Sequence, residues 1–232
     1  MVLTLVYHTV QRGAFQSYQK HLMEGPTGGP ATNYDIGYTG TGDAPANPAF
    51  AELMQTMVGE KGDAIIAEIY RMLATRPSTL IHGDMRSDNL FRSKARNADG
   101  KFDYKIVDWQ AVAYGPAGVE FVELLCGAFA DVNDYDRLDE LLGVYYTELT
   151  SKCPQASAYT TEMLKEDFAL VTVLWFCALM PVLSGILDSI KAMPDHPFWG
   201  MIFPAFERYE KVMTVLGVPS RIAEIAAKLP VS

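Results

Sequence analysis

Beyond residue 47, strand-forming runs occur in one stretch of this sequence, and helical periodicity surrounds them on both sides. Leu80-Ile81-His82, Asn89-Leu90-Phe91-Arg92 and Tyr104-Lys105-Ile106-Val107-Asp108-Trp109 are short β-prone runs. A polar stretch ending in Asp99-Gly100, a strong hairpin signal, joins the last two. Upstream, Asn47-Pro48 sets an N-cap residue before Pro at a first helical position, and Phe50, Leu53, Met54 and Met57 recur at helical spacing. A second helix starts at Asp63, carries Ile65, Ile66, Ile69, Tyr70 and Leu73 on its apolar face, and ends before Pro77. Downstream, the helical period predicts helices over Val119–Phe129, Tyr135–Thr150, Met163–Ile190 with a kink at Pro181, His196–Leu216 and Pro219–Leu229. A single strand island inside long helices predicts an α+β, mainly helical fold with a small antiparallel hairpin region. It excludes a large parallel sheet.

Residues 1–47 follow other rules. Gly25 to Pro48 holds six Gly and four Pro, a density that punctuates structure, so residues 25–46 read as a linker. Residues 1–24 offer a candidate strand at Val2–Val6 and a candidate helix at Ala14–Met23. The apolar start has no basic n-region or small-residue cleavage site, which argues against a secretory signal. The uncharged run Ala169–Leu187 is long enough to span a bilayer. It contains Pro181, Ser184 and Gly185 and has no cationic cluster on either flank, so it reads as a buried core helix.

Charge and cysteine usage remove several function classes. With 28 acidic residues against 19 Lys and Arg, the net charge of −9 excludes nucleic acid as the main partner, because such binding draws on clustered cations. Three widely spaced cysteines, Cys126, Cys153 and Cys177, form neither a disulfide framework nor a thiolate zinc site. The expectation is a cytoplasmic protein without a membrane span.

The chemistry-bearing residues sit in the strand island. His82-Gly83-Asp84-Met85-Arg86-Ser87-Asp88-Asn89 follows one run, and Asp108-Trp109-Gln110 closes another. An Asp on a loop after a strand, an Asn opening the next and an Asp ending a third can converge at one end of a small sheet. Magnesium takes one or two carboxylates plus an amide oxygen and fills its other positions with water and phosphate. A further carboxylate within reach can orient a hydroxyl and accept its proton.

Asp84 with Asn89 five positions on, preceded by His82-Gly83 and followed downstream by Ile106-Val107-Asp108-Trp109, resembles the catalytic core of the aminoglycoside phosphotransferase and choline-kinase-like enzymes. The ecdysteroid-kinase-like branch shares this pattern. Gly115-Pro116-Ala117-Gly118-Val119-Glu120-Phe121 is similar to the segment that leads that family into its next helix, with Glu120 where an Asp is usual. The resemblance covers about Asn47 to Leu229, residues 47–232 being the C-terminal lobe of a protein-kinase-like fold. It implies transfer of a γ-phosphoryl group from ATP to the hydroxyl of a small alcohol or amino-alcohol. Asp84, His82 and Arg86 take the catalytic positions; Asp84 orients the acceptor and His82 fixes the loop. Asn89 and Asp108 hold Mg²⁺ and, through it, the nucleotide.

The family's N-terminal ATP-lid lobe, with a glycine-rich loop and a strand Lys, is not recognisable. Lys20 falls in the candidate helix, and the Gly40-Thr41-Gly42 match breaks at Pro45. The expectation is a truncated enzyme, weak alone. The same residues also fit a non-catalytic kinase-like binding or interaction module, and less well a metal-dependent phosphoesterase. Asp131, Asp134, Asp136, Asp139 and Glu140 read either as a solvated helix surface or as steering for a cationic acceptor. Trp175, Phe198, Trp199, Phe203 and Tyr209 read either as core or as an acceptor pocket. Glu120 and Glu123 near a helix N-terminus are partly explained by the macrodipole.

Overall fold

A computed structural model describes residues 48–128, 132–190, 193, 195 and 198–230. The candidate strand, candidate helix and linker expected over residues 1–46 lie outside the described residues. In chain order the elements are α1 (Pro48–Val58), α2 (Gly62–Leu73), β1 (Thr79–Ile81), β2 (Leu90–Arg96), β3 (Phe102–Ile106) and β4 (Ala113–Gly115). They continue with α3 (Gly118–Ala128), α4 (Leu138–Lys152), α5 (Thr161–Ile190), α6 (Phe198–Val215) and α7 (Val218–Lys228). The described part is mainly helical with two small antiparallel sheets, as the sequence pattern requires. No helix among the described residues is long and apolar enough to cross a membrane.

The chain divides into two compact units, Met1–Met72 with Thr172–Ser232, and Leu73–Val171. In the first, α1, α2, the later part of α5, α6 and α7 pack through one apolar face each. Phe50, Ile65, Ile69, Val212, Met213 and Ile222 are fully or almost fully buried. Phe176 links the layers, meeting Phe50 edge-on at 5.6 Å and Tyr209 at 5.7 Å. Lys61 donates from Nζ to the carbonyls of Ala226 and Leu229 at 2.8 and 3.0 Å, setting a cation on the C-terminal end of α7 where its unpaired carbonyls and dipole favour one. Tyr209 is half-buried and packs against Phe176. The side chains of Phe198, Trp199 and Phe203 lie outside the described residues.

The second unit is built on α3, α4 and the start of α5. Val122, Leu138, Leu142, Leu164 and Phe168 are fully buried, and Phe121 stacks near Phe168 and edge-on to Tyr145 at 4.9 Å. Gly118 lets α3 approach α5 closely: a Cβ there would lie 2.7 Å from the Phe168 amide nitrogen. Against this helical base lie the two sheets. β1 pairs with β4, Thr79 opposite Gly115 and Ile81 opposite Ala113; β2 pairs with β3, Leu90 opposite Ile106 and Arg92 opposite Tyr104. Gly100 takes φ +73° in the β2–β3 turn, and Asn97 Oδ1 accepts the N–H groups of Asp99 and Lys101 to close it.

The structure refines three of the expected elements. Asn89 ends a single 3₁₀ turn, Ser87–Asn89, and does not open the strand, because its amide is drawn back onto Asp84. The third strand ends at Ile106, where the backbone turns left-handed at Asp108. A 3₁₀ segment over Val132–Arg137 precedes α4, and the expected single helix from Tyr135 is divided there.

Candidate functional site

The site grows from the end of β1. Gly83 takes φ +79°, and a Cβ at that position would meet the Ala111 carbonyl oxygen at 2.4 Å, so only glycine permits the turn. Its N–H donates to Glu120 Oε1 at 2.9 Å, tying the loop to the first turn of α3. The Glu that replaces the expected Asp therefore serves the loop as well as the helix terminus.

His82 is 1% exposed and holds two segments together. Its Nδ1 accepts the Asp84 N–H at 3.3 Å, which assigns the ring proton to Nε2, and Nε2 donates to the Val107 carbonyl at 2.8 Å. A neutral imidazole thus bridges the Asp84 loop to the residue just before Asp108. The ring also meets Trp109 edge-on at 4.7 Å. The second bridge is Asn89, itself buried: Nδ2 donates to the Asp84 carbonyl at 2.8 Å and to Asp84 Oδ2 at 3.2 Å, while its own carbonyl accepts the Val107 N–H at 3.0 Å. Asp84, Asn89 and Val107 are one hydrogen-bonded network, and Asp108 leaves it as the next residue.

Asp108 is the one non-glycine residue with positive φ among the described residues, at φ 65° and ψ 55°. An L-residue pays about 1–2 kcal/mol for that conformation, and such strain concentrates at functional positions. Its carboxylate is exposed, and its hydrogen-bond partner among the described residues is Gln110 Nε2 at a long 3.5 Å.

Charges around Asp84 are unevenly matched. Arg86 Nε donates to Asp84 Oδ1 at 2.8 Å, and this bond holds the Asp84 carboxyl below its usual range. Glu123 lies beside Asp84. Burial, and then the Asp84 charge, push the Glu123 carboxyl up to about 7. Glu123 Oε2 is buried without a protein donor. Two carboxylates side by side repel when both are ionised, and a proton on the Glu123 carboxyl relieves that repulsion. Asp88 is 78% exposed, 3.7 Å from Arg86, and is a solvated loop residue.

The donor set suits a hard cation. With Asn89 Nδ2 committed to Asp84, the amide oxygen is the remaining ligand atom, and Asp108 presents a carboxylate held out by a strained backbone. One carboxylate and one amide oxygen match magnesium, which keeps most of its waters and binds phosphate oxygens. Among the described residues no group of three or more His, Cys, Asp or Glu side chains is arranged to hold a metal, so a thiolate or histidine centre is not formed there.

Of the other residues singled out in the sequence, Asp139 pairs with Lys165 at 2.7 Å and Glu140 with Arg137 at 3.0 Å. This is the bonding of a solvated helix surface. Asp131 lies outside the described residues. Glu123 is the site residue that the sequence left unassigned; its spacing of one helical turn from Glu120 was the available signal.

Residues 49–198 match the family described as uncharacterized oxidoreductase dhs-27 (DUF1679), and the chain belongs to it. No curated protein and no solved structure matches the chain.

Proposed function

We propose that this protein is an ATP- and magnesium-dependent phosphotransferase acting on the hydroxyl of a small alcohol or amino-alcohol, with Asp84 as the acceptor-orienting base. The observation that carries the reading is the network that ties Asp84 to Asn89 and, through His82 and Val107, to the strained Asp108. Phosphoryl transfer needs little covalent help from a protein. It needs a positioned acceptor and neutralised phosphate charge. In this reading Asp84 orients the acceptor hydroxyl, His82 fixes the loop, and Asn89 and Asp108 hold magnesium, which supplies the charge that the phosphates require when bound.

The word oxidoreductase in the family's description invites a dinucleotide reading. A dinucleotide fold relies on parallel strands with a glycine-rich first turn. The sheets among the described residues are two antiparallel pairs, and the polar residues collect at a loop that suits phosphate and magnesium. A non-catalytic kinase-like binding module is the second reading, since the same residues fit it.

The test is binding and turnover on the purified chain. Mg·ATP is expected to raise the melting temperature, and a panel of alcohols and amino-alcohols is expected to contain one that is phosphorylated. Asp84→Ala and Asp108→Ala should lower turnover by about 10²–10⁴-fold. Nucleotide binding without phosphorylation of any acceptor favours the non-catalytic module, and reduction of a nicotinamide cofactor by the chain would replace the kinase reading altogether.

A further inference from the structure

A pocket of about 260 Å³ lies within the Leu73–Val171 unit, at the end of β1 away from the Asp84 loop. Thr79, the first residue of β1, lines it, whereas His82, Gly83 and Asp84 follow the last residue of that strand. No member of the Asp84 network is among its lining residues. The walls are mostly apolar, made by Pro77, Ala117, Leu149, Ala156 and Ala158 with the Tyr159 ring. Among the described residues no Asp, Glu, Lys, Arg or His lines it. Ser78 and Cys153 line it too and are exposed, so the pocket is reached from solvent on that side.

The hydroxyls in this lining divide into two kinds. That of Tyr159 is committed, donating to Asp167 Oδ2 at 2.7 Å. Those of Ser78, Thr79 and Tyr145 have no hydrogen-bond partner among the described residues. Tyr145 is half-buried, its ring edge-on to Phe121 at 4.9 Å. Burial, and then the Glu120 charge, hold its phenol above the usual range, so it keeps its proton and can donate. A half-buried hydroxyl among apolar walls loses free energy until something accepts from it.

Size, walls and charge together select a ligand class. An apolar cavity of about 150 Å³ takes up benzene, so this larger one admits a ring with a short substituent. An ion would leave water for walls that offer no counter-charge, and a plain hydrocarbon would leave the hydroxyls unbonded. We propose that this pocket is a second small-molecule site, separate from the Asp84 site, which takes an uncharged single-ring compound whose carbonyl oxygen accepts from the Tyr145 hydroxyl. A few placed polar groups in a mainly apolar lining are the usual make-up of such a site.

The test uses the full chain and three probes of one size: acetophenone, which carries ring and carbonyl, ethylbenzene, which lacks the acceptor, and benzoate, which adds a charge. Binding is measured by calorimetry, and occupancy by the rate at which iodoacetamide alkylates Cys153, read by peptide mass spectrometry. Acetophenone is expected to bind saturably and to slow Cys153 alkylation, with benzoate at least about tenfold weaker. Tyr145→Phe keeps the ring against Phe121 and should weaken acetophenone about fivefold while leaving ethylbenzene within about twofold. Ala156→Trp, which fills the pocket, should abolish binding of both. Absence of saturable acetophenone binding to the wild type overturns the inference. So does acetophenone affinity unchanged in Tyr145→Phe, a variant conservative enough to fold, or Cys153 alkylation that acetophenone does not slow. None of these outcomes depends on the phosphotransferase reading.

Discussion

Two clusters of charge in the same unit obey opposite rules. In one, Arg76 donates to Asp167 at 2.7 Å and also bonds Glu166, while the Tyr159 hydroxyl donates to the second Asp167 oxygen at 2.7 Å. Asp167 is fully buried and both its oxygens are occupied. Burial, with a smaller push from the Glu166 charge, raises the Asp167 carboxyl above its ordinary value, and the bonds from Tyr159 and Arg76 oppose that rise. In the other cluster, Asp84 and Glu123 face each other with Arg86 on one side only, and Glu123 Oε2 has no donor. In the first cluster both oxygens of the fully buried carboxylate have donors. The second leaves a buried carboxyl oxygen without a protein partner beside a half-exposed Arg86, which marks it as a candidate ligand site.

Damage to the two clusters differs in kind. Arg76→Ala strands a buried carboxylate and should cost about 3–5 kcal/mol of stability, read as a fall in melting temperature or denaturant midpoint. A loss below about 1 kcal/mol would mean the cluster is as weakly held as a surface pair and would erase the distinction.

Backbone changes sharpen it further. Gly83→Ala must carry φ +79° and displace the Ala111 carbonyl, and should cost about 2–3 kcal/mol. At Gly100, with a similar φ of +73° but open space around the Cβ position, the same change should cost about 1 kcal/mol. Equal losses at the two glycines would show that steric closure of the site loop contributes nothing.

A pH dependence is a further measure of the second cluster. The Glu123 carboxyl stands at about 7 in the fold against 4.5 unfolded, so the folded state binds the extra proton. Stability therefore falls as pH rises from about 4.5 to about 7 and is level above that. Glu123→Gln, uncharged throughout, should match the wild type near pH 4.5 and be the more stable protein at pH 8. Parallel stability profiles for the two would place a cation or donor at Oε2.

Much of this was legible in the residues. Periodicity located α1, α2, α3, α5 and α7 within a few positions, and Asp99-Gly100 marked the hairpin, since both signals are local. β4 was not found: Ala113-Tyr114-Gly115 has no alternation of its own and becomes a strand by pairing with Thr79–Ile81, a contact made across a long stretch of chain. His82, Asp84, Asn89 and Asp108 were visible because their order along the chain is itself the pattern. Glu123 was visible only as an acid near a helix N-terminus, because its raised carboxyl comes from burial beside Asp84, which spacing alone does not encode. Two of the four 3₁₀ segments among the described residues, Ser87–Asn89 and Val132–Arg137, interrupt the strand and helix signals around them.

The left-handed backbone at Asp108 has a consequence for any effort to harden this protein. Glycine at that position relieves the conformation, and asparagine adopts it more readily than most side chains, so a screen that rewards thermal resistance alone will favour either one there. Each gain of that kind removes the carboxylate. On the proposed reading, laboratory evolution for robustness would remove a magnesium ligand while raising stability, and a variant library meant to test that reading would hold residue 108 constant.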